Sequence, residues 1–272
     1  MTASGTAPGA DQLAETFNRT VEEGVQRLTR ATPSLLATGL VGGADVSVGL
    51  FALLVVKTET GDTLLASLAF GLGFVALTLA SSELFTENFL VPIAAVAAKK
   101  ATTAQVGRLW AGTASMNLIG GWLVMGLIIT GFPRLGPTAV EVARHYPAIG
   151  IGWRSMAGAL MGGAVITLMT WMEHSTESVT GKLAAAVGAA FLLAAAPLNH
   201  VIVVSLEMFA ALQHGAPFGY VDWVSVAVWY TLGNVLGGVV MVAGLRLVQI
   251  GPERLEAVRS EGRRGRSRRS SK

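Results

Sequence analysis

The chain contains no cysteine, so a disulfide framework and a thiolate metal site are both excluded. Its four histidines, His145, His174, His200 and His214, are scattered. No His-Glu-x-x-His pattern occurs, so a hydrolytic metal centre of that kind has no ligand set. No metal, no cofactor and no enzymatic role is expected. Charge is scarce: Asp, Glu, Lys and Arg make up only 14% of the 272 residues, against 52% hydrophobic. This balance excludes a disordered chain and argues against an ordinary soluble domain. Also missing is a basic start followed by a short apolar core and a cleavage site, so no signal peptide is expected.

Long apolar runs are what the chain has instead. Six fall at 34–56, 63–98, 109–132, 146–172, 182–212 and 222–250, where about 20 residues suffice for one crossing of a bilayer. The pattern predicts an all-α integral membrane protein of six transmembrane helices. Ahead of them, residues 1–10 are small and polar, and 11–31 repeat Leu13, Phe17, Val21, Val25 and Leu28 every three or four positions. Arg19, Glu22, Glu23, Arg27 and Arg30 take the other sides. Residues 1–32 therefore read as a cytoplasmic segment with a surface helix against membrane or protein, followed by the pore-forming region 33–251. A basic tail, 252–272, carries Arg263, Arg264, Arg266, Arg268, Arg269 and Lys272. Beside a membrane span such a tail suits anionic lipid, and no nucleic-acid partner is expected.

Basic residues set the expected orientation. With the N-terminus inside, the inner segments hold Arg19, Arg27, Arg30, Lys99, Lys100, Arg108, Lys182 and the tail. The outer side receives Lys57, Arg134, Arg144 and Arg154. Both termini are then cytoplasmic and the protein sits in the cell's inner (plasma) membrane.

The second and fifth runs are too long for one straight crossing, and each has polar residues in its middle. Leu193–Glu207 includes Pro197, Asn199 and His200. Pro197 removes a backbone donor, and Asn199 suits the cap of a new half-helix starting at His200. In lipid such a break persists only where protein or a wet cavity surrounds it. Two readings stand open for His200: a pathway residue, or a packing histidine bonded to a neighbouring helix. The second run carries Ser81-Ser82-Glu83-Leu84-Phe85-Thr86-Glu87-Asn88, with Thr86 suited to cap a half-helix and Glu87 to its positive end.

The two halves of the chain echo one another. Asn117-Leu-Ile-Gly120-Gly121 matches Asn234-Val-Leu-Gly237-Gly238; Thr86 precedes Asn117 by 31 residues, and His200 precedes Asn234 by 34. Three spans per half gives two inverted repeats with broken second and fifth helices. In transport folds of that kind the site lies where the repeats meet.

Glu83-Leu84-Phe85-Thr86, Asn199-His200 and the two Asn-x-x-Gly-Gly stretches resemble the formate/nitrite transporter family. The resemblance spans about residues 20 to 250. It implies an aquaporin-like fold, a homopentamer with one pore per subunit, and passage of small monovalent anions or their acids. It also implies that His200 is the central pore histidine, that Leu84, Phe85 and Thr86 form part of an inner constriction, and that Phe70 and Phe74 lie at apolar constrictions. Leu193 falls where some members have a pore phenylalanine. Asp45, in the middle of the first span, has no place in the family pattern, and two further features depart from it. Val201-Ile202-Val203-Val204 replaces the small polar residues that often follow the histidine, and an outer lysine before the fourth span is missing.

Simpler roles stand beside these. Phe70 and Phe74 are at packing spacing as much as at gate spacing. Glu83 is read as a tie for the broken backbone, and Asn117 and Asn234 as partners for the exposed backbone of the breaks. Glu207, about 10 Å beyond His200 on the same helical face, is either an outer-vestibule acid or a rim residue, and the rim is favoured. Asp45 and Arg154 pair with each other or line a vestibule; spacing does not decide. The expected function is a channel or proton-linked transporter for small monovalent anions. The alternatives are a neutral-solute pore for water or glycerol, disfavoured because no Asn-Pro-Ala pair occurs, and a structural or sensory membrane protein without flux.

Overall fold

The computed structural model describes residues 10–260, so the Arg-rich end of the tail and the first nine residues lie outside it. All regular secondary structure among the described residues is helical. An N-terminal helix, α1 (Ala10–Thr29), is followed by α2 (Thr32–Thr60), α3 (Thr63–Ala80), a 3-10 turn at Phe85–Phe89, α4 (Val91–Ala97) and α5 (Thr103–Gly131). Two short helices, α6 (Gly136–Ala143) and α7 (His145–Ile149), lead into α8 (Trp153–His174). Then come α9 (Val179–Ala195), α10 (Val201–Gln213), α11 (Tyr220–Val235), a π-helical stretch at Leu236–Gly244 and α12 (Leu245–Ile250).

Five helices among the described residues are long and apolar enough to cross a membrane: α2, α3, α5, α8 and the continuous run Tyr220–Ile250. The fifth apolar run supplies none of these. It is divided at 196–200 into α9 and α10, each too short alone. The fourth run also starts later than its hydropathy suggests. Tyr146 belongs to α7, and Gly150 turns the chain at φ 67° before α8 begins at Trp153.

Local chemistry accounts for the boundaries. Asp62 accepts hydrogen bonds from the Leu64 and Leu65 amides and starts α3, just after Gly61 closes α2 at φ 70°. Thr102 and Gln105 form a reciprocal cap on α5. Apolar faces remain open around the bundle, among them Leu64, Leu68, Leu72 and Leu127, each at least half exposed, as expected of a surface meeting lipid or another subunit rather than water.

The N-terminal helix is docked on protein. Phe17 and Val21 pack with Leu90, Val91 and Ala94, and Leu28 packs with Ala95 and Leu109. Arg27, which periodicity assigns to a polar outer side, is buried. It donates to Glu23 and, at 3.1 Å, to Asn88 Oδ1, and it lies 3.5 Å from Glu83 and 3.9 Å from Glu87. The reason is a second stripe, Thr16, Thr20, Glu23 and Arg27 at helical spacing, whose two threonines are also buried. Of this stripe, Arg27 meets the polar residues of the 81–88 break.

Burial acts to raise the Glu23 carboxyl, but its hydrogen bond with His174 and the Arg27 charge outweigh that and hold it below the usual carboxylate range. This pairing therefore stabilises the fold above the unfolded carboxylate range of about 4.3. It is lost as the pH falls through the depressed folded value. Arg27→Met is expected to lower the melting temperature of the solubilised protein markedly, since removing one partner of a buried pair costs about 3–5 kcal/mol. Thermal unfolding at neutral pH tests this. An unchanged melting point would mean that Glu83 and Glu87 need no cation.

Candidate functional site

The two interruptions in the apolar runs meet at one pair of side chains. In the first, α3 ends with Ser81 in the left-handed region, residues 81–84 leave helical geometry, and the chain re-enters through the 3-10 turn that holds Thr86. In the second, α9 stops at Ala195, and 196–200 run without helix past Pro197. Helix α10 then starts from His200. Thr86 Oγ1 lies 2.6 Å from His200 Nε2, and both residues are fully buried.

The cap of α10 is His200 itself. Its Nδ1 accepts from the Val203 amide at 3.3 Å, whereas Asn199 turns away and donates to the Ser155 carbonyl at 2.7 Å. The expectation that Asn199 caps this helix is therefore corrected. A side-chain acceptor three residues before the bonded amide is what the position needs, and the ring nitrogen supplies it. Thr86 likewise does not cap a half-helix. It sits inside the 3-10 turn, where its hydroxyl is turned toward the histidine.

The tautomer follows. Because Nδ1 accepts from a backbone donor, a neutral ring must carry its proton on Nε2. Nε2–H then donates to Thr86 Oγ1, and the threonine hydrogen is left for a third group.

Two carboxamides hold the interruptions with matching bonds. Asn117 donates to the Gly39 and Glu83 carbonyls at 2.7 and 2.9 Å and accepts from the Phe85 amide at 2.8 Å. Asn234 donates to the Ala159 and Asn199 carbonyls at 2.7 and 2.9 Å and accepts from the Val201 amide at 2.8 Å. Gly43 and Gly163 let the helices come close enough, since a Cβ at either would overlap the carbonyl oxygen of Asn117 or Asn234. Ser47 and Thr167 then donate to the Gly43 and Gly163 carbonyls, each at 2.8 Å.

The remaining apolar candidates all belong to the buried core. Phe70 and Phe74 are fully buried, ring centroids 5.7 Å apart, in the same core as Leu84 and Leu193. Phe85 packs edge-on against Phe89 and Trp110. Glu83 is placed differently from expectation: its backbone carbonyl takes the Asn117 bond, while its carboxylate pairs with Arg30 at 2.7 Å and Arg27. One oxygen each of Glu83 and Glu87 is buried without a partner. Both residues line a cavity of about 560 Å³ that also meets Arg19, Glu173 and Lys182.

Asp45 and Arg154 do not pair with one another; Asp45 accepts from Ser82 at 2.6 Å. Glu207 is not a rim residue. It is buried and accepts a 2.5 Å hydrogen bond from Tyr146. Sequence reasoning missed Tyr146, which carries no local signal. It also missed Arg27, which the Thr16-Thr20-Glu23 stripe marks.

The sequence profile described as formate/nitrite transporter matches residues 14–248. The chain belongs to the formate/nitrite transporter family. Among curated relatives, the "Uncharacterized transporter YrhG" of Bacillus subtilis (strain 168) is 26% identical over 245 residues, covering 85% of this chain and 90% of that one. The "Formate channel BtFdhC" of Bacillus thuringiensis is 25% identical over 247 residues, covering 84% and 90%. Among solved structures, a chain described as "FNT family ion channel" superposes with a TM-score of 0.74 at 20% identity, over 87% of this chain and 99% of that one. A "Pentameric formate channel with formate bound" gives 0.67 at 21% identity, over 80% and 97%. At these identities the structural likeness establishes the fold. This member of a transporter family is thus an all-helical protein with several helices of membrane length.

Proposed function

We propose that this family member is a pore for small monovalent anions or their conjugate acids, with His200 and Thr86 as its central polar station. The observation that carries the reading is the buried Thr86–His200 hydrogen bond, held where two interrupted helices meet. A bare anion in an apolar slit loses its hydration at large cost. A hydroxyl hydrogen left free by the Nε2 donor, beside an imidazole, offsets part of that cost. Phe70, Phe74, Leu84, Phe85 and Leu193 supply the apolar constrictions, so that a neutral acid passes more readily than the ion.

The division of α3 from α4 and of α9 from α10 supports six crossings with broken second and fifth helices. The matching bonds of Asn117 and Asn234 support two inverted three-helix repeats. Likeness to a pentameric formate channel supports a homopentamer and a formate-like solute. The basic residues near the span ends support cytoplasmic termini.

Reconstitution into liposomes tests the function. Formate and nitrite should move with the protein present and not without it. Movement of water or glycerol alone would favour a neutral-solute pore, and no flux of any solute would favour a structural or sensory role. Topology is tested separately. Single cysteines at Thr60 and Gly215 should react with an impermeant reagent from outside, and one at Ser178 only after permeabilisation. Labelling of all three from one side would break the inverted-repeat reading.

A further inference from the structure

We propose that Glu207, hydrogen-bonded to Tyr146, is an outer proton-carrying residue of this pore: it passes a proton to an incoming anion before the anion reaches His200. The inference rests on the pore reading above and concerns a residue pair that the central station does not use.

Helix α10 carries His200 at its cap and Glu207 seven residues on, nearly two full turns, so the two share one face about 10 Å apart. Val203 and Val204 lie between them on that face, both buried in the core that also holds Phe70 and Phe74. The polar stations are thus separated by an apolar gap.

Glu207 is 5% exposed, and Tyr146 is its one hydrogen-bond partner among the described residues. Its second oxygen makes no hydrogen bond to the described chain. The groups facing it carry no positive charge in contact. From α7 come Tyr146 and its neighbour His145, whose ring is tilted 41° to the tyrosine with centroids 3.9 Å apart. On α11, Tyr230 packs edge-on against Tyr146, and its buried hydroxyl has no partner among the described residues. The charged groups at the C-terminal end of α2 are engaged elsewhere: Lys57 bonds Thr63 and the Gly61 carbonyl, and Glu59 pairs with Arg134.

Burial, and then the Glu207 charge, push the Tyr146 phenol well above its ordinary value, so it remains a donor. His145 donates from Nδ1 to the Val142 carbonyl, and burial lowers it from its ordinary value, which disfavours a cation there. A buried carboxylate without a cation is costly in its ionised form. One proton relieves that cost, and an arriving anion stripped of its water in the same place is a base that competes for it.

The step balances simply. The O–H bond of the Glu207 carboxyl breaks, and a new O–H bond forms on the anion. The neutral acid crosses the valine gap, and a hydronium ion of the outer solution returns a proton to the carboxylate and leaves as water. Tyr146 steadies the carboxylate between cycles by donating to the oxygen that does not exchange.

The test uses the intact protein in liposomes, with formate as the probe and an internal pH dye. The wild type should bring in protons together with formate. Glu207→Gln keeps the shape and can accept from Tyr146, but holds no exchangeable acid. Its proton-coupled uptake should fall about a hundredfold, the weaker end of what losing one positioned proton donor costs. Its electrically driven formate flux at equal pH on both sides should persist.

Tyr146→Phe leaves the acid without its donor, so the pH midpoint of coupled uptake should move upward, a change that a packing role would not produce. It also serves where Glu207→Gln fails to assemble. A wild-type ratio of protons to formate in Glu207→Gln, or an unmoved midpoint in Tyr146→Phe, overturns the proposal. So does formate flux in the wild type with no proton movement, which leaves the pore reading intact. Absence of all anion flux in the wild type defeats the pore reading itself.

Discussion

Replacing His200 by Phe is expected to abolish anion flux while leaving the assembly in place. The larger ring fills the space beside Thr86, removes the one ionisable side chain of the pair, and leaves the Val203 amide without its acceptor. His200→Asn separates these effects. Its side chain can still cap α10 and can donate, but it cannot titrate near neutral pH. That variant should conduct, with an altered dependence on pH between about 5 and 7, where an unperturbed histidine titrates. Thr86→Val removes a hydroxyl with little change in shape. Loss of a hydrogen bond to a charged group, about 1.5–3 kcal/mol, corresponds to about a 10- to 150-fold lower flux. Assembly is checked beside flux by the size of the solubilised oligomer, because a lost oligomer mimics a lost site. If all three variants assemble and carry formate as the parent does at every pH, His200 is a packing residue and the central claim fails.

The second large effect is expected at the two asparagines. Asn234→Leu keeps the volume but strips the Ala159 and Asn199 carbonyls of a donor and the Val201 amide of its acceptor. All of these lie around the fully buried Asn234, where water offers no replacement. Each buried polar group left unsatisfied costs about 1–3 kcal/mol, so the three together approach the whole stability of a typical domain, about 5–15 kcal/mol. Asn117→Leu should be as severe for the same reason on the other side. The expected readout is loss of a discrete oligomer and a large fall in melting temperature for both. Asn234→Asp retains one acceptor and loses both donors, and should fall between the parent and the leucine variant. Equal stability of all the variants would remove these amides from any supporting role.

The helical, membrane-length character of this chain was legible from hydropathy alone, because a span must satisfy its own backbone and show apolar side chains along its length. The family was legible too, through a few short motifs. Their positions say where the chain departs from regular helix, since Pro197 and the run of polar residues at 81–88 cannot sit quietly in lipid.

What those residues bond was not legible. Helical periodicity put Arg27 with the solvent-facing charges, because a pattern of 3.6 residues per turn knows nothing of a second polar surface across the fold. Glu83 and Glu87 are about 60 residues away in sequence, and only docking of α1 on α4 brings them to Arg27. Glu207 read as a rim acid from its place near the end of an apolar run, yet the return of α7 covers it with Tyr146. The cap of α10 passed from Asn199 to His200 for a similar reason: Asn199 finds the Ser155 carbonyl on another helix, and nothing in the local sequence announces that acceptor.

By itself, then, the sequence determined the helices, their apolar surfaces and the two places where helix gives way, since these depend on each residue's own backbone and hydration. The tertiary structure alone decided which polar groups face each other at those places. A buried hydroxyl, imidazole, amide or carboxylate must find a partner in space, and here Thr86 and His200 find each other across 114 residues of chain.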